Sequence, residues 1–211
     1  MARRCFDVLI SGAALILLAP VLLAIAALIL LDDGGPVLFV QTRCGRDRRP
    51  FRIYKFRSMH GGEITRAGAW LRAAGLDELP QLVNVLAGHM SLVGPRPLTL
   101  EDVRRLGWDD AAHDLRWRLR PGIAGLAQLY AGRGARVSWF LDCRYARARS
   151  LKLDLFVLFV TAAVSLVGKR RVRALLRAIR VHAARRFTAR ALLRRRSPAP
   201  RFSFADSARA P

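Results

Sequence analysis

Residues 8–31 are almost wholly apolar, and Pro20 stands in their middle. A run of this length can cross a bilayer. Pro20 removes one helical N–H and clashes with the turn before it, so a break is predicted at Ala19-Pro20. Both flanks are basic: Arg3 and Arg4 before, then Arg43, Arg46, Arg48, Arg49, Arg52 and Lys55 after. Positive charge marks the cytoplasmic side of a membrane segment. A straight span would put one flank on the wrong face. A helix–break–helix that enters and leaves on one face satisfies both, so residues 1–33 are predicted to be re-entrant, with a full span as the alternative. A signal peptide also competes, but Asp32-Asp33-Gly34-Gly35-Pro36 follows the run in place of a small-residue cleavage pattern.

The charge is lopsided too. The 211 residues include 37 Lys+Arg and 15 Asp+Glu, a formal net of +22. That balance calls for an anionic partner: nucleic acid, a phosphorylated substrate or an acidic membrane face. An apolar content of 53% is high for a nucleic-acid binder and ordinary for a membrane-associated chain. Cys5, Cys44 and Cys143 are too few and too scattered for a disulfide framework or a zinc site. Residues 169–197 hold many Arg and no acid, with Val172, Leu175, Leu176, Ile179, Ala183 and Phe187 at helical spacing. This reads as a basic amphipathic helix on an anionic membrane surface, with RNA binding an equal competitor from this segment alone. Residues 198–211 read as a disordered tail.

Between these ends the pattern is mixed. Residues 36–41 and 51–56 read as two strands of a hairpin around an Arg-rich turn. Lys55 and Arg57 close the second strand, either as solubilising edge charges or as phosphate ligands. A short helix over 64–74 carries Arg66 and Arg72 and stops at Gly75. Asp77 and Glu78 follow, directly ahead of a helix predicted over 80–87 with Pro80 at its start. They are two acids at a helix start, or the carboxylates of a nucleophilic or metal-assisted phosphate chemistry. Arg96, between Pro95 and Pro97, is held in one local geometry that suits phosphate. Residues 98–119 read as a solvated helix without chemistry, His113 included. Gly122, Gly125, Gln128, Gly132, Arg133 and Gly134 mark loops, or places where backbone approaches a ligand. Residues 153–167 form a second apolar run, too short to span.

Several blocks in this order resemble one family, the bacterial sugar transferases: small monotopic polyprenyl-phosphate glycosyl-1-phosphate transferases. The blocks are Arg3-Arg4-Cys5-Phe6-Asp7; Gly35-Pro36 with Phe39 and Gln41; Tyr54-Lys55-Phe56-Arg57-Ser58-Met59; and Leu76-Asp77-Glu78-Leu79-Pro80-Gln81-Leu82 with Asn84-Val85-Leu86. Met90-Ser91-Leu92-Val93-Gly94-Pro95-Arg96-Pro97, then Pro121-Gly122-Ile123 with Gly125 and Ala127-Gln128, then Leu151 and Leu153-Asp154, complete the series.

The resemblance implies a mainly helical α+β, monotopic membrane protein with a re-entrant N-terminal helix, a small β-hairpin and amphipathic interfacial helices. It implies a catalytic domain over 34–168 on the cytoplasmic face of the bacterial inner membrane, among anionic lipid. It further implies a nucleotide-diphosphate-sugar donor, commonly a UDP-sugar, a polyprenyl phosphate acceptor, Mg²⁺, and no nucleic acid. Asp77 would be the nucleophile and Glu78 its assistant, both near the metal. Lys55, Arg57, Arg72, Arg96, Gln128 and Arg133 would bind phosphate or substrate. The chain departs from the family pattern in places: His89 stands where an Asp is usual, Ala19 where a Ser is usual, and the segment between Met59 and Ile64 is short. A membrane-anchored scaffold or nucleic-acid binder built on the Arg-rich segment is the rival expectation.

Overall fold

The computed structural model describes residues 2–129 and 134–167; the predicted helix over 169–197, the tail over 198–211 and Arg133 lie outside them. The apolar run folds as two helices, α1 (Ala2–Leu17) and α2 (Ala19–Asp33), bent by 61°. The break falls on Leu18, so Ala19 and Pro20 open α2, where proline's missing N–H leaves no intrahelical bond unmade. Among the described residues no single helix is long and apolar enough to cross a membrane.

Helix α1 is inside out. It buries Asp7 and Ser11 and exposes Leu9, Ile16 and Leu17. Asp7 is held by two donors: Ser91 Oγ gives to one carboxylate oxygen at 2.7 Å and the Leu92 N–H to the other at 3.1 Å. Arg3 Nε lies 3.5 Å from Asp154. Arg4 donates to the carbonyls of Val85 and Leu86 at 2.5 and 2.7 Å. The far end of α2 is held as well. Asp32 accepts from the Ala67 N–H at 3.1 Å, Asp33 pairs with Arg57, and Ile25 and Ile29 pack with Phe56 and Leu71. Both ends of the bent pair are therefore tied to one body, while Ile16, Leu17 and Leu23 around the bend are more than two-thirds exposed.

Strands β1 (Leu38–Cys44) and β2 (Pro50–Phe56) form the predicted hairpin, Leu38 opposite Phe56 and Cys44 opposite Pro50. Side chains alternate across a strand, so Lys55 continues the face on which Phe51 and Ile53 are buried. Phe56 points the other way, towards α2. The short segment after β2 is a hairpin with a two-residue turn, β3 (Met59–His60) with β4 (Glu63–Ile64). Helix α3 (Arg66–Ala74) is capped by Thr65, whose hydroxyl accepts from the Gly68 N–H at 2.9 Å, and ends at Gly75 with φ +72°. A 3₁₀ turn (Leu76–Glu78) leads into α4 (Gln81–Leu86).

Asn84 fixes α4 to the hairpin. It is fully buried; its amide nitrogen donates to the Arg52 carbonyl at 2.7 Å and its oxygen accepts from the Tyr54 N–H at 3.1 Å. An amide is the side chain that can meet a donor and an acceptor of β2 at once. Leu82 and Val85 add apolar packing on Phe51 and Ile53.

Strands β5 (Ser91–Val93) and β6 (Gly122–Ala124) pair in parallel. A Cβ at Gly94, Gly122 or Gly125 would overlap backbone atoms of the facing segment. These glycines let backbone approach backbone, which neither the loop nor the ligand reading of the sequence anticipated.

The solvated helix expected over 98–119 is corrected. It divides into α5 (Leu100–Leu106), a 3₁₀ turn (Ala111–His113) and α6 (Asp114–Trp117), because Gly107 ends α5 at φ +65°. Its aromatic side is buried: Trp108 and Trp117 form a cluster with Cys44 and Val103. His113 is half-buried and packs edge-on against Trp139 at 4.3 Å. Helices α7 (Leu126–Leu129), α8 (Ala135–Ala148) and α9 (Leu151–Val167) complete the body. Tyr145 on α8 donates to Asp154 on α9 at 2.6 Å. The described part is mostly helical with a small β component, as expected, with three two-stranded pieces in place of one hairpin.

Candidate active site

Asp77 and Glu78 share the turn ahead of α4, and both are half-buried. Lys55, delivered by the core-facing side of β2, pairs with Glu78 at 2.9 Å. Burial first, and then the charge of Glu78, raises the Asp77 pKa; Lys55 and Arg72 pull it back.

A small cleft, about 10 Å³ in volume, opens beside this turn. Four residues singled out in the sequence, Glu78, Lys55, Arg96 and Gln128, line it, together with Arg43 and Gln81, which the sequence reading passed over; Asp77 is beside it in the same turn and not in its lining. Arg43 was counted there only as membrane-flank charge. The signal for it was its register: it lies opposite Phe51 in the hairpin, two residues from Gln41. Desolvation and the nearby Arg96 lower its pKa. Among the described residues, Arg43 Nε and Gln81 Nε2 are buried donors without hydrogen-bond partners, as are Nε of Arg48, Arg57 and Arg149 away from the cleft. Buried donors are rarely left so, and an anion in the cleft would satisfy the two on residues that line it.

Other predicted residues fall elsewhere. Arg57 does not line the cleft. It pairs with Asp33 at the end of α2 and approaches His60 Nδ1 at 3.1 Å. Arg72, in the last turn of α3, acts on Asp77 through its charge. His89 is exposed, stacks on Phe51 at 5.9 Å and follows the opposite end of α4 from Asp77. Its imidazole is no part of the cleft, so the missing carboxylate there leaves the acid pair intact.

A hard divalent cation fits this donor set. Mg²⁺ takes one or two carboxylates and completes its shell with water and substrate phosphate oxygens. Asp77 and Glu78, adjacent in one turn, would supply the carboxylates. Among the described residues no group of three or more His, Cys, Asp or Glu could form an all-protein cage.

An acid pair thus lies beside a cationic cleft, on a body tied to a bent apolar helix pair. The chain belongs to the bacterial sugar transferase family, whose model matches residues 1–168. It is 40% identical over 190 residues to the exopolysaccharide production protein PSS of Rhizobium leguminosarum bv. phaseoli, covering 78% of this chain and 94% of that protein. It is also 40% identical over 186 residues to an undecaprenyl-phosphate glucose phosphotransferase of Komagataeibacter xylinus, covering 76% of this chain and 35% of that one. A UDP-N-acetylgalactosamine-undecaprenyl-phosphate N-acetylgalactosaminephosphotransferase of Aeromonas hydrophila is 40% identical over 185 residues, covering 79% of this chain and 44% of its own length. The chain thus spans less than half the length of these last two relatives.

Proposed function

We propose that this chain transfers a sugar-1-phosphate from a UDP-sugar to undecaprenyl phosphate, an early membrane step of exopolysaccharide-type glycan assembly. The observation that carries this reading is the turn holding Asp77 and Glu78 beside a cleft lined by Lys55, Arg43 and Arg96. The names of the family relatives supply the reaction class. They differ in the sugar, so the donor is read here only as a UDP-sugar.

In this reading an Asp77 oxygen attacks the phosphorus bonded to the sugar. The P–O bond to the nucleoside monophosphate breaks, UMP leaves, and the phosphosugar stays on Asp77. A phosphate oxygen of undecaprenyl phosphate then attacks the same phosphorus and frees Asp77, giving the lipid diphosphate sugar. Like charges repel a carboxylate from a diphosphate, so the cations decide the rate. Arg96 and Arg43 bind the diphosphate oxygens, Gln81 and Gln128 donate to them, and Lys55 holds Glu78 in place. Bound Mg²⁺, held by Asp77 and Glu78, would supply charge neutralisation at the transferred phosphoryl.

The same reading places the protein on the cytoplasmic face of the bacterial inner membrane, with α1 and α2 re-entrant. It is supported by the ties from both ends of the pair to one body and by the exposed apolar bend. Leu155, Phe156 and Phe159 of α9 add exposed apolar surface.

The test is UMP release by the purified full-length chain with undecaprenyl phosphate, across UDP-glucose and UDP-N-acetylgalactosamine, with and without Mg²⁺. Mg²⁺-dependent release with at least one donor is expected. No release from any UDP-sugar would refute the function. Cysteine labelling of residue 2 from the periplasmic side would refute the topology.

A further inference from the structure

The segment Pro95–Leu98 is held in an unusual way. Prolines at 95 and 97 have no N–H, so hydrogen bonds to this stretch must go largely through its carbonyls. All four carbonyls are held. Pro95 accepts from the Gly122 N–H at 2.9 Å and Leu98 from the Cys44 N–H at 2.8 Å. Pro97 accepts from Arg43 Nη1 at 3.4 Å, and Arg96 from Arg116 Nη2. Pro95 and Pro97 are buried, while the Arg96 side chain is exposed at the cleft.

Arg116 stands out among these partners. Its side chain is 3% exposed, Nε donates to Asp142 on α8 at 2.9 Å, and the Asp142 side chain is 5% exposed. The guanidinium lies over the rings of Trp117 and Trp108, 4.6 and 5.4 Å from their centroids. Burying two charges is expensive, and apolar residues of similar volume often hold such a site at least as well. The planar fork of Arg116 does what an apolar residue cannot: one nitrogen bonds the α8 carboxylate while another bonds the Arg96 carbonyl.

We propose that the buried Arg116–Asp142 pair is a positioning device for Arg96, fixing the backbone from which the Arg96 guanidinium enters the cleft. Neither residue lines the cleft. The effect runs through one carbonyl, in a site where displacement by about 1 Å can cost up to ~10²-fold. The inference rests on the reading of Arg96 as a phosphate ligand.

Arg116→Lys keeps a charge for Asp142 and removes the second arm of the fork. The probe is inorganic pyrophosphate, measured by titration calorimetry on the full chain, in a double-mutant cycle with Arg96→Ala. Arg116→Lys is expected to weaken pyrophosphate about tenfold with Arg96 present. It is expected to change affinity by less than about twofold in the Arg96→Ala background, where nothing remains to position. Equal losses in both backgrounds would overturn the proposal, as would unchanged affinity in the Arg96 protein. If Arg116→Lys does not fold, Asp142→Asn, which keeps an acceptor for Nε and loses the charge, enters the same cycle under the same criteria. Failure of the function itself reads differently: no UMP release from any UDP-sugar while the pyrophosphate coupling persists.

Discussion

The turn that carries Asp77 and Glu78 and the loop that carries Arg96 meet at one cleft and are built in opposite ways. The loop has two prolines, and its four carbonyls are held from three distant parts of the chain: β1 through Arg43 and Cys44, α6 through Arg116, and β6 through Gly122. The turn rests on local bonds: Glu78 N–H to the Gly75 carbonyl at 3.5 Å and Leu79 N–H to the Leu76 carbonyl at 3.2 Å. Electrostatics divide the same way. The loop presents a cation on rigid backbone. The turn holds two carboxylates, and burial and the charge of Glu78 oppose ionisation of Asp77. In the proposed reaction Asp77 must bond to phosphorus and release it, so slack there is tolerable, whereas the cations that receive the diphosphate act best when already in place.

The comparison breaks most visibly at Asp77. Asp77→Asn is expected to lower UMP release by at least ~10³-fold, since the amide cannot serve as nucleophile. It should not destabilise the fold. A carboxyl whose folded pKa is raised favours the folded state below its unfolded pKa and loses that contribution as pH rises through the folded value. At neutral pH the charged form is therefore the strained one, and the amide relieves it. Thermal unfolding at pH 7 should give a midpoint equal to or above that of the unsubstituted chain. A clearly lower midpoint would mean that Asp77 is part of the frame.

Two substitutions sharpen the electrostatic half, and they act in opposite directions. Glu78 raises the Asp77 pKa and Lys55 lowers it. Asp77 must be ionised to attack, so the acidic limb of the kcat/KM profile follows its pKa. Lys55→Met should move that limb to higher pH and lower the neutral-pH rate by about 10²-fold. Glu78→Gln should move it to lower pH. Limbs that move together, or stay in place, would show that another group controls the profile.

These groups were not equally legible in the sequence. The break near Pro20 could be read from a proline in an apolar run, whereas the residues alone left the acid pair, Lys55 and Arg96 open, and the resemblance to the family singled them out. Arg57 was assigned to phosphate because it closes the second strand with Lys55 and shares its family block. The strand ends at Phe56, and Arg57 turns instead to Asp33, a partner 24 residues away. Arg43 and Gln81 were passed over for a related reason. Their importance comes from hairpin register and from burial without partners, and both need the tertiary structure. The expected solvated helix over 98–119 failed because its charges were weighed and its tryptophans were not. Trp108 and Trp117 are the side chains that bury the segment, and with it Arg116.

The smallest expected difference between the two regions is also the most direct comparison of their backbones, because each contains a buried proline. Pro80 opens α4, at a position whose N–H needs no intrahelical partner. Pro80→Ala loses only the restriction of the unfolded chain, about 0.4–1 kcal/mol. Pro97→Ala loses the same amount and adds a donor in a buried stretch, where an unmet N–H costs a further ~1–3 kcal/mol. For a chain of this size 1 kcal/mol corresponds to about 2–4 °C in the unfolding midpoint. Pro80→Ala should therefore lower the midpoint by about 1–4 °C and leave the donor KM unchanged. Pro97→Ala should lower it by about 3–16 °C and raise the donor KM by roughly threefold, because the loosened backbone is the one that presents Arg96. Equal KM values in the two variants would mean that the carbonyl ties hold Arg96 without help from the prolines, and the rigidity of the loop would then rest on Gly122, Cys44, Arg43 and Arg116 alone.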